Sequence, residues 1–140
     1  MTGEKTLTII KPHAVRDNKT GAILSIISDA GFRICAMKLI RLSEMQTKEF
    51  YKVHTGKDFY FPLAEMMASG PVVVALLKKE NAVSEFRRLV GNTDPEKADP
   101  GTIRRLFGRT VRENAIHASD CDLNAQTECG FFFSSLEVFE

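Results

Sequence analysis

The feature that most constrains the fold is an unbroken apolar run over residues 72–77, in the middle of the chain. Ser69-Gly70-Pro71 stands before the run, and two lysines follow it. A run of strand length between such boundaries is typical of a strand that is buried on both faces. Because a strand of that kind lies at the centre of a sheet, the rest of the chain has to supply flanking strands and covering helices.

Strand and helix patterns alternate before this run. Residues 6–11 are apolar and β-branched up to Pro12, which has no N–H for a strand ladder and ends the strand. After a polar loop, residues 20–30 place apolar side chains at helical spacing, and Gly31 follows at the capping position. Residues 32–42 predict a second strand with one polar face.

The alternation continues through the second half of the chain. Ser43 and Gln46 form a capping-box pattern that opens a helix to about His54. The other predicted elements are a short helix over residues 63–68, a helix from the cap Asn81 to Val90, a proline-marked loop over residues 92–100, a short helix over residues 102–107, a brief strand over residues 115–117 and a helix that the cap Ser119 opens toward Phe133.

This order of elements predicts the fold class. Alternating strands and helices without repeats favour an α/β chain of the α+β sandwich type. Four short strands with two main crossover helices are typical of the ferredoxin-like topology, a four-stranded antiparallel sheet covered by helices. At 140 residues the chain has the length of about one domain, so we expect residues 1–140 to form a single domain.

Composition excludes several classes of protein. Hydrophobic residues make up 44% of the chain and charged residues 26%, which are ordinary values for a globular domain and not those of a disordered chain. The net charge of +1 argues against a generally basic nucleic-acid-binding protein. No apolar run approaches the roughly 20 residues of a membrane span, and the N-terminus shows no signal-peptide pattern. We therefore expect a cytoplasmic protein without a membrane partner.

The three cysteines, Cys35, Cys121 and Cys129, indicate neither a disulfide framework nor a zinc site. Their number is odd, and no C-x-x-C pair occurs in the sequence. Cys121 and Cys129 could pair as a redox switch, although small buried side chains are the simpler interpretation. Reduced thiols fit a reducing compartment.

The near-zero net charge conceals a cationic segment. Residues 87–112 carry seven basic and three acidic residues, whereas residues 113–140 carry six acidic residues and no basic one. The chain has neither a P-loop nor a glycine-rich dinucleotide pattern, so side chains have to hold any bound nucleotide. Arginine forks match phosphate oxygens. The candidates are Arg87, Arg88, Arg104, Arg105, Arg109 and Arg112; for each single arginine the alternative is a solvent-exposed helix face.

Of the three histidines, His117 is placed best for catalysis. It lies between a predicted strand and a predicted helix N-terminus, where backbone N–H groups favour an anion. A neutral imidazole there can attack phosphorus if a partner such as Glu128 binds its other nitrogen. His13 and His54 are predicted to be surface or capping residues. A Ser119–His117 hydrolase pair is excluded, because the nucleophile-elbow pattern is missing.

The aromatic triple Phe59-Tyr60-Phe61 is predicted to lie in a loop between helices. One of its rings can stack on a nucleotide base with little dependence on which base it is. The alternative is a hydrophobic plug under the loop. Nucleic acid is not an expected partner, because the aromatic strand pattern of RNA-recognition sheets is missing.

Four motifs together resemble those of the nucleoside diphosphate kinase family. They are Thr8-Ile9-Ile10-Lys11-Pro12, Ser69-Gly70-Pro71-Val72-Val73, Pro100-Gly101-Thr102-Ile103-Arg104 and Asn114-Ala115-Ile116-His117-Ala118-Ser119-Asp120, the last of which resembles the family's active-site signature. The resemblance runs from about Lys5 to Phe133 in the family's order and spacing. It implies a kinase that moves the γ-phosphate of ATP or another nucleoside triphosphate to a nucleoside diphosphate, in a ping-pong reaction through a phosphohistidine.

The resemblance also implies roles for individual residues. His117 matches the nucleophile, Glu128 matches the residue that orients its imidazole, and Tyr51 and Ser119 match supporting positions. The implied nucleotide-binding residues are Phe59 and Val111 on the two sides of the base, Lys11 and Asn114 at the sugar hydroxyls, with Lys11 also reaching the transferred phosphate, and Arg87, Thr93 and Arg104 at the phosphates. Mg²⁺ in this family bridges phosphate oxygens, so the resemblance implies no protein cage for the metal.

Three residues depart from the family pattern. Ala118 stands where glycine is usual, Cys121 replaces a serine, and His13 replaces an aspartate or asparagine. If position 118 needs a positive φ, alanine there costs energy and shifts His117. None of the three departures removes a residue that the resemblance makes catalytic.

The resemblance further implies an assembly. The family forms hexamers or tetramers, so we expect a homo-oligomer, with residues 92–100 and 134–140 as contact segments. A non-catalytic nucleotide-binding module of the same fold and an interaction subunit are the alternatives to the kinase.

Overall fold

The chain forms a four-stranded antiparallel sheet with helices packed against it, in a computed structural model that describes residues 3–140. The strands are β1 (Lys5–Ile10), β2 (Arg33–Ile40), β3 (Val72–Lys78) and β4 (Ile116–Ala118). Their spatial order is β2-β3-β1-β4, and all the pairings between neighbours are antiparallel. This is the order of the split βαβ motif, so the predicted ferredoxin-like fold is confirmed.

Helices connect and cover the strands. They are α1 (Pro12–Arg16), α2 (Thr20–Asp29), α3 (Glu44–Phe50), α4 (Tyr60–Met67), α5 (Ala82–Val90), α6 (Ile103–Phe107) and α7 (Asp122–Phe132), with short 3-10 turns at Lys52–His54, Pro95–Lys97 and Ser135–Glu137. Within residues 3–140, no helix combines the length and the apolar character that crossing a membrane requires.

The apolar run at the centre of the sequence is buried on both faces of the sheet, as predicted. Val72, Val74 and Leu76 pack into one hydrophobic cluster, together with Phe132 and other side chains on that face. Val73, Ala75 and Leu77 point to the opposite face and pack into a second cluster, in which Phe86 is fully buried. Alternate residues of β3 therefore serve two cores, and this explains why the strand carries no polar residue between Val72 and Leu77.

Two helices begin where the sequence predicts loop. Pro12 ends β1 and is also the first residue of α1, a position that tolerates proline because its missing N–H would have no partner there. The helix α4 begins at Tyr60, so Tyr60 and Phe61 are helical and the prediction of a loop for them is wrong. Pro62 fits in the first turn of α4 for the same reason as Pro12.

The predicted bounds of two other elements shift slightly. The capping box of Ser43 and Gln46 is present, but α3 ends at Phe50 and a 3-10 turn continues to His54. The strand β4 begins at Ile116 and not at Ala115, because Ala115 has a φ of 78° and cannot pair as extended backbone.

Two predicted helix caps are also wrong in detail. The N-cap of α7 is Cys121, whose Sγ accepts a hydrogen bond from the Asn124 N–H at 3.4 Å, and not Ser119. Asn81 does occupy the N-cap position of α5, but its side chain makes no capping bond. Gly91 ends α5 with a φ of 91°, as its position in the sequence predicts.

Candidate active site

A cavity of about 590 Å³ opens beside the end of β1 and β4. Its volume is typical of a small-molecule site. It is lined by the predicted site residues Lys11, Tyr51, Phe59, Arg87, Thr93, Arg104, Val111, Asn114, His117 and Glu128. Ser119 lies behind the wall of the cavity. The fold thus gathers residues that are far apart in the sequence around one space.

His117 and Glu128 form the hydrogen bond that an imidazole nucleophile requires. The Nε2 atom of His117 lies 2.7 Å from Oε1 of Glu128, and both side chains are largely buried. With its hydrogen on Nε2 and directed at the carboxylate, the neutral ring keeps its lone pair on Nδ1. His117 is central in β4, opposite Ile9 of β1, so the sheet fixes the backbone that carries the ring.

Ser119 binds the same oxygen of the Glu128 carboxylate as His117 does. Its hydroxyl donates a hydrogen bond to Oε1 of Glu128 at 2.8 Å, and its Oγ accepts one from the Leu7 N–H at 3.2 Å. The side chain is fully buried. Ser119 is therefore tied to β1 and cannot cap α7, while it sets the position of Glu128.

Aromatic rings pack around the imidazole. Tyr51 meets it edge-on at a centroid distance of 6.1 Å, and Phe50 meets it edge-on at 5.4 Å. Tyr51 is buried, and burial raises the pKa of its phenol, with the charge of Glu128 acting in the same direction. The phenol is therefore neutral at physiological pH. Sequence reasoning did not single out Phe50, because an aromatic at the end of an amphipathic helix is typical of an ordinary core residue.

Lys11 is a buried cation at the end of β1. Its side chain is 6% exposed, and Nζ donates a hydrogen bond to the Arg112 carbonyl oxygen at 3.3 Å. Burial and, secondarily, the charge of Arg104 lower the pKa of Lys11 to about 7. A bound anion would counter both effects.

Arg104 is a second buried cation, at the start of α6. Its guanidinium donates to the Ile116 carbonyl oxygen at 2.9 Å and to the Gly91 carbonyl oxygen at 3.2 Å. Burial and, secondarily, the neighbouring charge of Arg87 lower its pKa to about 10. Arg104 thus also anchors the residue that precedes His117.

Lys11, Arg87 and Arg104 form an uncompensated cationic cluster. None of them takes part in an ion pair among the residues that the structure describes. The charge of Arg104 lowers the pKa of Lys11, and the charge of Arg87 lowers the pKa of Arg104, which places the three within electrostatic range. Lys11 and Arg104 are buried, whereas Arg87 is exposed. Two buried like charges without a carboxylate are costly unless an anion joins them, so the cluster indicates an anion site.

Asn114 lines the same cavity, and one of its polar atoms is unsatisfied within the described residues. Its Nδ2 donates to the Thr93 carbonyl oxygen at 3.0 Å, which orients the amide. Its Oδ1 is buried and has no hydrogen-bond partner within residues 3–140. Because buried acceptors are ordinarily satisfied, this oxygen indicates a ligand that brings a hydroxyl or another donor.

Phe59 and Val111 supply exposed apolar surface at the cavity. Phe59 is 41% exposed and Val111 is 55% exposed. The ring of Phe59 packs against His54 at a centroid distance of 5.0 Å. Exposed apolar side chains that line a cavity suit a flat ligand such as a nucleotide base.

The prediction that His13 is a surface or capping residue is wrong. His13 is 1% exposed, and its Nε2 accepts a hydrogen bond from the Ala115 N–H at 2.9 Å. His54 is half-buried in the cavity wall, where its ring stacks on Tyr51 at 6.3 Å. A position next to a turn or helix end does not show whether a histidine side chain faces the protein interior or the solvent.

The concern about Ala118 does not apply. Ala118 lies in the extended backbone of β4, paired with Thr8, so alanine is acceptable there. Within the active-site motif, the residue with positive φ is Ala115, which has the same side chain and lies before β4. Cys121 is exposed and Cys35 and Cys129 are buried, and all three are free thiols.

The other arginines of the cationic segment divide between two roles. Arg112 lines the cavity. Arg88 pairs with Glu85, Arg105 donates to the Glu96 carbonyl oxygen, and Arg109 pairs with Asp17. These three are therefore accounted for by contacts outside the cavity. Within residues 3–140, no group of three or more His, Cys, Asp or Glu side chains could hold a metal ion.

Comparison with known proteins agrees with this geometry. A family model described as nucleoside diphosphate kinase matches residues 4–138. A nucleoside diphosphate kinase of Salinibacter ruber is 47% identical over 138 residues, which cover 99% of this chain and 97% of the relative. The solved nucleoside diphosphate kinase of Aquifex aeolicus superposes with a TM-score of 0.94 at 43% identity, covering 96% of this chain and 98% of that one. That of Halobacterium salinarum, solved in complex with CDP, superposes with a TM-score of 0.93 at 31% identity, covering 98% and 91%.

Proposed function

We propose, because the chain belongs to the nucleoside diphosphate kinase family, that it transfers the γ-phosphoryl group of a nucleoside triphosphate such as ATP to a nucleoside diphosphate through a phosphohistidine at His117. The observation that carries this assignment is the His117–Glu128 hydrogen bond of 2.7 Å beside a cationic cluster with no carboxylate partner. The complete set of polar residues disfavours the non-catalytic alternative.

The first half-reaction is an in-line displacement. The Nδ1 lone pair of His117 forms a bond to the γ-phosphorus while the bond to the bridging oxygen breaks, and the electron pair leaves with the nucleoside diphosphate. The Glu128 carboxylate accepts the hydrogen bond from the Nε2–H of His117 and stabilises the positive charge that develops on the ring. In the second half-reaction a terminal oxygen of another nucleoside diphosphate attacks the phosphohistidine and the lone pair returns to Nδ1.

The cationic cluster stabilises the transition state. Phosphoryl transfer spreads negative charge over the peripheral oxygens, so fixed cations lower the barrier without reorganisation. Lys11, Arg87 and Arg104 supply this charge, and the Asn114 amide oxygen accepts a sugar hydroxyl. The CDP bound by the halophilic relative supports a nucleotide in this cavity.

We propose Mg²⁺ as the cofactor. The donor set fits an ion bound through phosphate oxygens, because the described residues offer no carboxylate cage. Asp120 lines the cavity, and its hydrogen bond from Asn124 lowers the pKa of its carboxyl, so it is ionised and can accept hydrogen bonds from water on the ion. When bound, Mg²⁺ neutralises phosphate charge.

A labelling experiment tests the proposed function. The full chain is incubated with γ-labelled ATP and Mg²⁺, and the protein is then isolated. We expect label that is acid-labile and alkali-stable, as a phosphohistidine is, and that leaves when GDP is added. Absence of label on the wild-type chain would exclude the mechanism.

Phe59 is expected to set affinity without selecting the base. Phe59→Ala should raise KM by roughly 5- to 100-fold for adenine, guanine and pyrimidine nucleotides alike, since ring stacking on a base contributes about 1–3 kcal/mol. Steady-state kinetics with several nucleoside diphosphates measures this. Phe61→Ala is the matched control, because that exposed ring does not line the cavity. A loss confined to one base would contradict the stacking role.

Lys11 predicts an alkaline limb in the pH profile. In the free enzyme its pKa of about 7 means that the ammonium loses its charge as the pH rises above 7. We expect kcat/KM to fall about tenfold per pH unit above that value, while kcat holds to higher pH, because bound phosphate raises the pKa again. Lys11→Arg keeps its charge throughout, so its profile should lack this limb. An alkaline limb of the same position in Lys11→Arg would assign it to another group.

Three wider properties remain proposals. We propose that residues 1–140 form one domain, since the family model spans residues 4–138. The family membership supports a homo-oligomer, either a hexamer or a tetramer, and analytical sedimentation would measure the number of subunits. The three free cysteines and the family support a cytoplasmic location.

A further inference from the structure

We propose that His13 is a positioning residue: its imidazole holds the backbone of Ala115 in a left-handed conformation and so sets the start of the strand that carries His117. The bond is short and buried, with 2.9 Å between the Ala115 nitrogen and Nε2 of His13. His13 itself is 1% exposed and belongs to α1, so it acts from outside the cavity.

Ala115 needs this support because its conformation is unfavourable. Its φ of 78° lies in the left-handed region, which alanine rarely adopts. Both of its backbone groups are bound by the segment at the end of β1: the N–H by His13, and the carbonyl oxygen by the Lys11 N–H at 2.8 Å. Two hydrogen bonds to one short segment therefore hold the strained residue.

The position of Ala115 connects this contact to the reaction. Asn114, which lines the cavity, precedes it, and Ile116 and His117 follow it in β4. A change of the Ala115 backbone would move the amide on one side and the imidazole on the other. Catalysis is sensitive to such shifts, because a misplacement of about 1 Å can cost roughly 100-fold in rate.

The contact exists only while the His13 ring is neutral. An imidazolium has hydrogen on both nitrogens and cannot accept the Ala115 N–H. The added proton would lie on Nε2, where it faces the Ala115 N–H and not an acceptor, and the N–H already present on Nδ1 has no partner within residues 3–140. Burial lowers the pKa of His13 from its usual 6.5, with Arg109 and Lys11 acting in the same direction and Glu113 and Asp17 opposing.

This arrangement predicts a loss of positioning in acid. His13 is neutral at pH 7, and the ring gains a proton as the pH falls through the lowered pKa. Between pH 6.5 and that pKa, the unfolded chain binds more protons at this residue than the folded chain, so folding stability also decreases as the pH falls. The aspartate or asparagine that the family usually has at this position could not lose its acceptor in that way near neutral pH.

Two variants test the inference. His13→Gln places an amide oxygen where Nε2 lies and does not titrate, whereas His13→Leu has no acceptor. The rate of His117 phosphorylation by ATP is measured in single turnovers from pH 5 to 8, with amide hydrogen exchange at Ala115 followed in parallel. We expect His13→Leu to be roughly 10- to 100-fold slower at pH 7.5 with Ala115 deprotected, and His13→Gln to match the wild type there.

The pH profile separates positioning from a merely structural role. The ratio of the wild-type rate to the His13→Gln rate should fall as the pH is lowered from 7 through the lowered pKa of His13, since only the wild type loses its acceptor. Every pH effect that does not involve residue 13 is common to both proteins and cancels in the ratio. If His13→Leu does not fold, this ratio still decides.

Two results would overturn the inference. One is a ratio that does not change with pH. The other is a His13→Gln variant that is slow and unprotected at Ala115 at pH 7.5. The inference rests on the proposed function for its rate measurement, but a failure of that function would show as unlabelled wild type, whereas a failure here leaves the wild type labelled.

Discussion

His117→Asn is expected to form no phosphoenzyme and to lose at least about 10⁴-fold in turnover, since removing a nucleophile abolishes a covalent pathway and not only its efficiency. Asparagine keeps a polar side chain of similar width but has no basic nitrogen. The Ser119–Glu128 bond of 2.8 Å does not involve the imidazole, so the wall of the cavity should persist. Acid-labile label from γ-labelled ATP and steady-state rates measure the two losses.

Nucleotide affinity and a cysteine variant control this experiment. His117→Asn should still bind a nucleoside diphosphate with nearly wild-type affinity, because the cationic cluster and Asn114 are intact. Cys121→Ser is the matched control, since its exposed thiol lies outside the cavity and serine keeps the cap of α7. Label that persists in His117→Asn, or that disappears in Cys121→Ser, would move the phosphoryl acceptor to another residue.

The fold could be predicted because its strongest signal is local and non-periodic. A six-residue apolar run without polar interruption buries all of its side chains only at the centre of a sheet that is covered on both sides, and β3 lies there. The helices were found from caps and spacing, although the bounds shifted where proline sits in a first turn. The Ser119 cap failed because its hydroxyl is used by Glu128 and Leu7, contacts that join distant segments.

Apart from His117 and Glu128, the residues of the candidate site were predictable only through the family motifs. Spacing alone suggested His117 and Glu128, and the structure places them 2.7 Å apart. It could not reveal Phe50 or His13, because each looks like an ordinary helix or turn residue until the packing is known. The positive φ of Ala115 was likewise invisible, since alanine gives no turn signal.

The cationic segment shows the same division between charge and geometry. Composition alone indicates an excess of basic residues over residues 87–112. The structure assigns Arg87, Arg104 and Arg112 to the cavity and gives three other arginines partners elsewhere. Arginines of the cavity are therefore distinguished from those of the surface by their contacts in the folded chain, which a sequence does not show.

Arg104→Met is expected to lower kcat/KM by roughly 10²- to 10³-fold, the usual effect of losing one positioned transition-state donor. The variant loses the guanidinium charge and also the bond to the Ile116 carbonyl oxygen, which precedes His117. Both kcat and KM should therefore change. Arg104→Lys restores charge without the planar fork and should recover only part of the loss.

Arg105→Met is the matched control, and a pH profile makes the test specific. Arg105 neighbours Arg104 in α6 but donates to the Glu96 carbonyl oxygen outside the cavity, so its loss should leave the rate within about twofold, as for most surface substitutions. The charge of Arg104 lowers the pKa of Lys11, so Arg104→Met should shift the alkaline limb of the residual kcat/KM to higher pH. Because only an electrostatic neighbour of Lys11 can move that limb, an unshifted limb in an otherwise folded variant would separate the two cations and contradict the shared phosphate site.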